Sequence, residues 1–233
     1  MKRFLSFAFV VICCMTMSAQ LVTSRSVLET KVPEAPKPPK KSKTTWMFKV
    51  GIATNNFVGD GMDEAAKAKA GYNIGFEFNR SIRDKGAYWG MDFLFGSRGW
   101  KYNESGDDWE YTSKFTSHNF QWAPFTFGWK IKVTDKFVID PHIGLFYSVD
   151  FAGKQSFSYE DRYDKEEEEI GIYDEEFGDY IPVDLGMKIG VGVWFNNKFN
   201  LDLTYQRGFV TPFDMDSYTA NASNFLIRLG YAF

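Results

Sequence analysis

Cysteine is almost absent from this sequence, and its two residues, Cys13 and Cys14, both lie near the N-terminus. Disulfide bonds and thiolate metal sites are therefore excluded from the rest of the chain. Beyond the N-terminus there is also no apolar run of about 20 residues, as a helical membrane span would need. The net charge of −3 argues against a nucleic-acid binder, which would be basic. Aromatic residues, in contrast, reach 18%, while charged residues still make up 24%.

Residues 1–19 have the three parts of a secretory signal peptide. Lys2 and Arg3 supply the positive start, residues 4–15 the apolar stretch, and Ser18-Ala19 the cleavage point. The apolar stretch is too short to span a bilayer as a helix. A lipoprotein signal around the two cysteines is the alternative, but the residues before them fit it poorly.

Residues 20–44 are predicted to form a separate Pro/Lys-rich linker on the periplasmic side. The run from Val32 to Lys41 contains four prolines and three lysines, which favour a solvated, extended polyproline II conformation and cannot build a core. The simplest interpretation is a spacer. The alternative is a tether that binds an anionic partner.

From residue 45 to residue 233 the apolar residues recur with a period of two, which indicates β-strands. In the clearest segment, residues 181–195, every odd position is apolar, whereas the even positions carry glycine, charge, Pro182 and Trp194. The segments that alternate in this way are 46–53, 72–79, 89–96, 124–131, 139–148, 181–195, 199–206 and 224–233.

Two features favour a membrane barrel over a soluble β-sandwich. The apolar parity is large and aromatic, while the other parity is rich in glycine and charge, which suits the narrow interior of a small barrel. Aromatic residues also fall near the predicted strand ends, as in the interfacial girdles of membrane barrels. The predicted fold is all-β: a closed antiparallel up-and-down transmembrane β-barrel of about eight strands, over residues 45–233.

Six basic and six acidic residues lie at the inward parity, so the charges there are balanced in sign. Buried charges in a narrow space are tolerated only when they are paired, so we expect a closed, salt-bridged interior rather than an open pore. Bulky Trp122, Phe146 and Trp194 at the same parity also favour a closed interior. The predicted interior charge network consists of Lys49, Glu77, Asp92, Arg98, Lys130, Lys132, Asp140, His142, Asp150, Asp184, Lys188, Asp202 and Arg228.

The connections between the predicted strands alternate in length. Short ones fall near 80–87, 134–136 and 196–198, and long ones near 54–69, 100–118, 152–179 and 210–222. Outer-membrane barrels have short periplasmic turns and long outer loops, so both termini are predicted to be periplasmic. The alternating residues of the last segment are expected to act as a C-terminal barrel-assembly signal; they are Phe225, Ile227, Leu229, Tyr231 and Phe233.

Several short motifs carry a resemblance to a known family. They are Trp46-Met47-Phe48-Lys49-Val50-Gly51, Ser97-Arg98-Gly99-Trp100-Lys101, Phe120-Gln121-Trp122-Ala123-Pro124-Phe125, Tyr180-Ile181-Pro182-Val183 and Arg228-Leu229-Gly230-Tyr231-Ala232-Phe233. With these motifs the chain resembles the PorT-like outer-membrane β-barrel family, over roughly residues 45–233. The resemblance implies a barrel in the outer membrane, and the family's namesake is linked to a protein secretion system.

The segment 154–179 is strongly acidic and is predicted to be an outer loop. A solvated surface loop is the simplest interpretation, and a weak divalent-cation site or a docking surface for a basic partner is the alternative. The spacing does not match an EF-hand. The acidic loop includes Glu166, Glu167, Glu168, Glu169, Asp174, Glu175 and Glu176.

Catalysis has little support in the sequence. His118 follows Ser117, but adjacent residues of a strand point to opposite faces and cannot simply form a dyad. His142 is expected in the interior network. We predict no enzyme, no catalytic residue, no cofactor and no metal site.

The expected partners are outer-membrane lipid and lipopolysaccharide, the assembly machinery during biogenesis and a protein at the outer loops, but not nucleic acid. A structural or interaction module is the predicted function, and a narrow channel or an accessory part of a secretion complex is the alternative.

Overall fold

The computed structural model describes residues 44–60, 66–82, 86–177, 180–213 and 219–233. The predicted signal peptide and all but the last residue of the predicted linker lie outside these residues, so both stay predictions. The described strands are β1 (Thr44–Val58), β2 (Ala66–Ser81), β3 (Ala87–Ser105), β4 (Trp109–Trp129), β5 (Ile131–Lys132), β6 (Phe137–Asp161), β7 (Lys165–Gly171), β8 (Val183–Phe195), β9 (Phe199–Gly208) and β10 (Asn221–Ala232).

Eight of these strands form a closed antiparallel ring. Each pairs with its neighbour in the order β1, β2, β3, β4, β6, β8, β9 and β10, and β10 returns to β1 with Met47 opposite Ala232 and Val58 opposite Asn221. Closure leaves the ring without an edge strand. The predicted fold, an all-β up-and-down barrel of eight strands, is confirmed.

The two faces of the ring follow the predicted parity. In β8, Leu185 and Ile189 point outward and are about half exposed, whereas Asp184 and Lys188 point inward and are buried. The same alternation runs through β10, where outward Leu229 is 64% exposed and inward Arg228 is 1% exposed. The outer surface is therefore a continuous apolar belt around a polar interior.

Small inward residues make room for large ones. A Cβ atom at Gly128 would lie 2.4 Å from the ring of Tyr88, and one at Gly186 would lie 2.4 Å from the ring of Phe146. Glycine at these positions lets both aromatic rings fit inside a narrow barrel.

The two ends of the barrel differ. At the short-turn end β8 and β9 are joined by Asn196-Asn197-Lys198, and both asparagines have positive φ (52° and 54°), as a tight primed hairpin turn requires. At the long-loop end, β3 with β4 and β6 with β7 continue beyond the rest of the ring. The parts of the chain that the structure describes contain no helix long and apolar enough to cross a membrane.

Two predicted loops are in fact strands. The segments 100–118 and 152–179 mostly extend β3, β4 and β6 and add β7, with regular pairing from Gly96–Asn119 to Ser105–Glu110 and from Lys154–Gly171 to Glu160–Lys165. Together they form a four-stranded sheet at the long-loop end, which we call the projecting wall (residues 99–116 and 153–171). Both faces of the wall carry polar residues, so the period-two signal of hydrophobicity is lost there.

The inward position expected for Trp122 is wrong. A register irregularity in β4 between Trp122 and Phe125 shifts the parity of the strand. Trp122 therefore lies opposite outward Phe93 and stacks on it, with ring centroids 6.4 Å apart. Phe146 and Trp194 do point inward, each 2% exposed.

Candidate functional site

The interior charge network is densest around Asp202. Its carboxylate accepts hydrogen bonds from Lys49 Nζ (2.9 Å) and Arg228 Nη2 (2.7 Å), which come from β1 and β10. Lys49 also pairs with Glu77 of β2 at 2.5 Å. Thr204 donates a hydrogen bond to Asp202 at 2.6 Å. Four strands are thereby joined through one cluster of buried charges.

Three further predicted members adjoin this cluster. Lys188 of β8 forms an ion pair with Asp92 of β3, and both side chains are 1% exposed. His142 Nε2 lies 3.2 Å from Thr204 Oγ1 and 3.7 Å from Asp202 Oδ2. These contacts cross the barrel between strands that are not neighbours in the ring, which requires a narrow interior.

A second cluster lies nearer the long-loop end. Arg98 of β3 donates to Asp150 of β6 and to Asp184 of β8, both at 2.8 Å. Tyr180 Oη donates to the Asp150 carboxylate, and Tyr173 Oη donates to the Asp150 carbonyl oxygen. The sequence predicted the three charged residues but missed both tyrosines, because no strand parity could assign residues of an irregular segment.

The last predicted members lie at the short-turn end. Asp140 accepts a hydrogen bond from Trp194 Nε1 at 2.8 Å, and Lys130 Nζ lies 4.0 Å from the Trp194 ring centroid. Lys132 does not join them: it is exposed in the two-residue strand β5, which continues the pairing of β4 with β6 beyond the last β3–β4 pair, so its assignment to the network is wrong. Met47, Val138, Trp194 and Ala232 form an apolar cluster at this end.

A larger apolar cluster lies inside the long-loop end. Fully buried Phe115 is the centre of the cluster. The residues around it come from the strands and from the connections after β7 and β9. The cluster consists of Phe57, Phe115, Ile172 and Ala222, with Trp100, Phe177, Tyr180 and Phe213 packed against it.

The connections that supply these side chains are fastened to the barrel. The backbone nitrogens of Phe209 and Val210 both donate to Asp184 Oδ1 at 3.2 Å. Ile181 N donates to the Pro212 carbonyl oxygen at 2.8 Å, which joins the two connections to each other. Asp184 thus links the charge cluster around Arg98 to the apolar cluster around Phe115.

Many uncharged polar residues also point inward and were missed. All but Ser117, Asn119 and Gln121, which precede the irregularity in β4, share the parity of the predicted charges of their strands, so that parity was the signal that could have identified them. The buried ones include Asn55, Asn73, Asn79, Ser117, Asn119, Gln121, Thr126, Ser148, Asn200, Thr204, Gln206 and Asn224.

The acidic segment is an edge strand rather than a loop. Glu166 to Glu169 lie in β7, Asp174 precedes a 3-10 turn that includes Glu175, and the side chain of Glu176 lies outside the described part of the chain. Glu169 pairs with Lys154, and Glu167 with Lys165, each at 2.6 Å. The hydrogen bond from Lys154, and then its charge, lowers the pKa of Glu169. Among the described residues, no group of three or more His, Cys, Asp or Glu residues is arranged to hold a metal ion.

Ser117 and His118 lie on opposite faces of β4. Ser117 is fully buried inside the barrel, whereas His118 faces outward with its Nδ1 3.1 Å from Tyr72 Oη. The two side chains do not form a dyad in this arrangement.

Comparison with solved structures gives small barrels of the outer membrane. Ail, the attachment invasion locus protein of Yersinia pestis, is 15% identical with a TM-score of 0.35, and 82% of this chain and 99% of that chain are covered. Neisserial surface protein A is 10% identical with a TM-score of 0.40, with 82% and 99% covered. OprG from Pseudomonas aeruginosa is 12% identical with a TM-score of 0.34, with 82% and 97% covered.

No curated protein sequence matches this chain. The family described as the outer membrane protein beta-barrel domain, in contrast, matches residues 19–214, which is most of the sequence. That match agrees with the closed ring of eight strands and its outward apolar belt. The chain therefore belongs to the outer membrane protein beta-barrel domain family and is a transmembrane protein of the outer membrane.

Proposed function

We propose that this protein is a structural or interaction module whose barrel is closed to ions and whose projecting wall meets partners outside the cell. The observation that carries the proposal is the filling of the interior. Paired charges from opposite strands occupy its middle, and an apolar cluster lies at each end. A barrel of eight strands is just wide enough for side chains to fill it.

The orientation follows the usual asymmetry of outer-membrane barrels. Short turns face the periplasm and long connections face outward, so both termini are periplasmic and the projecting wall is extracellular. Single cysteines test this, because the only native cysteines lie in the predicted signal peptide. Asp107→Cys at the β3–β4 tip should react with a membrane-impermeant maleimide on intact cells, and Asp135→Cys should react only after lysis. The reverse pattern contradicts the orientation.

Conductance in planar bilayers tests the closed interior. The refolded full chain should show no steady openings. Phe115→Ala removes the centre of the apolar cluster at the long-loop end and should raise the frequency of transient openings. Steady ion-sized openings of the unmodified protein would defeat the proposal.

A narrow channel is the second candidate, and a separate observation favours it. Asn73, Gln121 and Gln206 are buried inside the barrel, yet each has a side-chain nitrogen without a protein partner. Such groups suit a hydrated middle layer, since buried polar groups are normally hydrogen-bonded to protein or water. The bilayer experiment separates the two candidates.

The remaining proposals concern biogenesis and assembly. The resemblance to PorT-like barrels supports a role as an accessory part of a protein secretion complex, which affinity capture of the intact membrane protein would test. We infer that the assembly machinery binds the outward alternation of β10 during insertion. The opposed faces of Ser117 and His118 support a function without catalysis.

A further inference from the structure

The outward face of the barrel carries a group of lysines where the projecting wall begins. They come from four strands, β2, β3, β4 and β6, that are adjacent in the ring. We call this group the lysine patch; its members are Lys67, Lys69, Lys101, Lys114 and Lys154.

The strand register places three of these lysines side by side. Lys67 lies opposite Lys101, and Lys101 lies opposite Lys114. Directly opposed residues have Cβ atoms about 5 Å apart, and like charges at that distance destabilise a sheet. Repulsion among these lysines therefore destabilises the sheet unless an anion binds between them.

The next row toward the barrel adds the other two lysines. Lys154 lies opposite Thr116, and Lys69 Nζ contacts Thr116 Oγ1 and lies 3.4 Å from the carbonyl oxygen of Phe115. Gly99, between Lys69 and Thr116, has no side chain to separate them. The two rows form one basic surface.

Within the part of the chain that the structure describes, the lysine patch is poorly neutralised. Lys154 forms an ion pair with Glu169, and the charge of Lys114 contributes to the lowered pKa of Glu167, but no carboxylate among the described residues lies within ion-pair distance of Lys67, Lys101 or Lys114. The other acids of the wall, such as Glu110 and Glu160, lie opposite each other nearer its tip. The wall is thus basic at the base of β2, β3 and β4, and acidic along β7 and toward its tip.

The level of the patch matches that of lipid headgroups. Toward the barrel, the row after Lys154 and Thr116 contains His118, which bonds Tyr72, and the row after that is the apolar belt with Phe95 against Phe120. Four to six residues of a tilted strand correspond to roughly 10–15 Å along the membrane normal. Charged lipid groups lie at about this height above the acyl chains.

We propose that the lysine patch binds the phosphate groups of the anionic glycolipid in the outer leaflet. Basic residues beside a membrane attract anionic lipid at roughly 1 kcal/mol, or about fivefold in affinity, for each lysine near the surface. The apolar belt below the patch holds the acyl chains of the same lipid, while the acidic tip repels it and keeps it at the base of the wall. The choice of leaflet rests on the orientation proposed above.

Binding in micelles tests the site itself. The full chain is refolded in a zwitterionic detergent and titrated with phosphorylated lipid A, and separately with the same glycolipid after removal of its phosphates. The triple variant Lys67→Gln/Lys101→Gln/Lys114→Gln should bind phosphorylated lipid A at least about tenfold more weakly than the unmodified protein. Its circular dichroism should be unchanged, because all three side chains lie on the surface.

The matched control removes three lysines from the short-turn end, Lys132→Gln/Lys136→Gln/Lys198→Gln, and should bind as the unmodified protein does. Equal binding of the two glycolipids, equal loss in both triple variants, or displacement of lipid A by millimolar inorganic phosphate would overturn the proposal. Since micelles have no sidedness, the result does not depend on orientation. A failed cysteine-labelling test with preserved lipid binding would therefore reverse the orientation and overturn the outer-leaflet glycolipid as the ligand, while the phosphate-binding surface itself would remain.

Discussion

Asp202 and Glu169 are both carboxylates paired with lysine, but they lie in contrasting regions of the molecule. Inside the barrel, Asp202 binds Lys49 and Arg228 from two other strands, and all three side chains are at most 3% exposed. In the projecting wall, Glu169 binds Lys154 of the adjacent strand, and both side chains are more than half exposed. Water replaces a lost partner in the wall, whereas nothing replaces it in the interior. Similar ion pairs should therefore have very different effects on stability.

The largest effect is expected at Asp202. Asp202→Asn leaves two buried cations, Lys49 and Arg228, without their shared carboxylate. Breaking a buried ion pair in this way costs about 3–5 kcal/mol. Urea unfolding of the refolded barrel in lipid vesicles should measure that loss, and Asp135→Asn in an exposed turn should leave the midpoint where it was. Equal midpoints for both variants would remove the contrast between the two regions.

The Lys188–Asp92 pair sharpens the same contrast. Lys188→Met alone leaves the Asp92 carboxylate unpaired in the interior and should lower the free energy of unfolding by about 3 kcal/mol. Lys188→Met combined with Asp92→Leu removes both charges and should recover most of the loss, because apolar residues of similar volume often replace a buried pair without penalty. A double-mutant cycle in urea gives the coupling energy. Additive effects would mean that the two side chains do not depend on each other.

Steric fit inside the barrel should give a somewhat smaller effect. A Cβ atom at Gly128 would lie within 2.5 Å of three atoms of the Tyr88 side chain, so Gly128→Ala forces that ring to move. Overpacking of this kind costs about 1–3 kcal/mol. The unfolding free energy should fall by this amount, and the same substitution in a Tyr88→Ala background should cost much less. An unchanged cost in that background would assign the effect to the backbone of β4 instead.

The interior was more predictable from the sequence than the wall. The buried side chains of Lys49, Asp92, Asp202 and Arg228 could be predicted to lie inside because inward positions of a regular strand share one parity. The inward position predicted for Trp122 was wrong because a register irregularity, which composition does not reveal, shifts that parity within β4.

The strands of the projecting wall were not predicted, for a different reason. Away from its base, where Phe115 and Ser113 are buried, both faces of the wall are solvated, so hydrophobicity does not alternate and β7 resembles a charged loop in sequence. Lys132 shows a further limit at a strand end: β5 stays paired with β6 but extends past the end of β3, so its parity no longer indicates an interior position. The tyrosines that reach Asp150 come from irregular segments and depend on tertiary packing alone.

The smallest effect is expected at Glu169. Because the pKa of Glu169 is lowered in the folded protein, its contribution to stability is present above its unfolded pKa and is lost as the pH falls through the folded value. Solvent screens this exposed pair, so Glu169→Gln should leave the urea midpoint at pH 7 unchanged within error, and moderate salt should remove any residual difference. Lys154→Gln serves as the matched partner variant. A loss at Glu169 as large as that at Asp202 would mean that the wall is packed against something that excludes water, and the contrast would then depend on a bound partner rather than on position in the barrel.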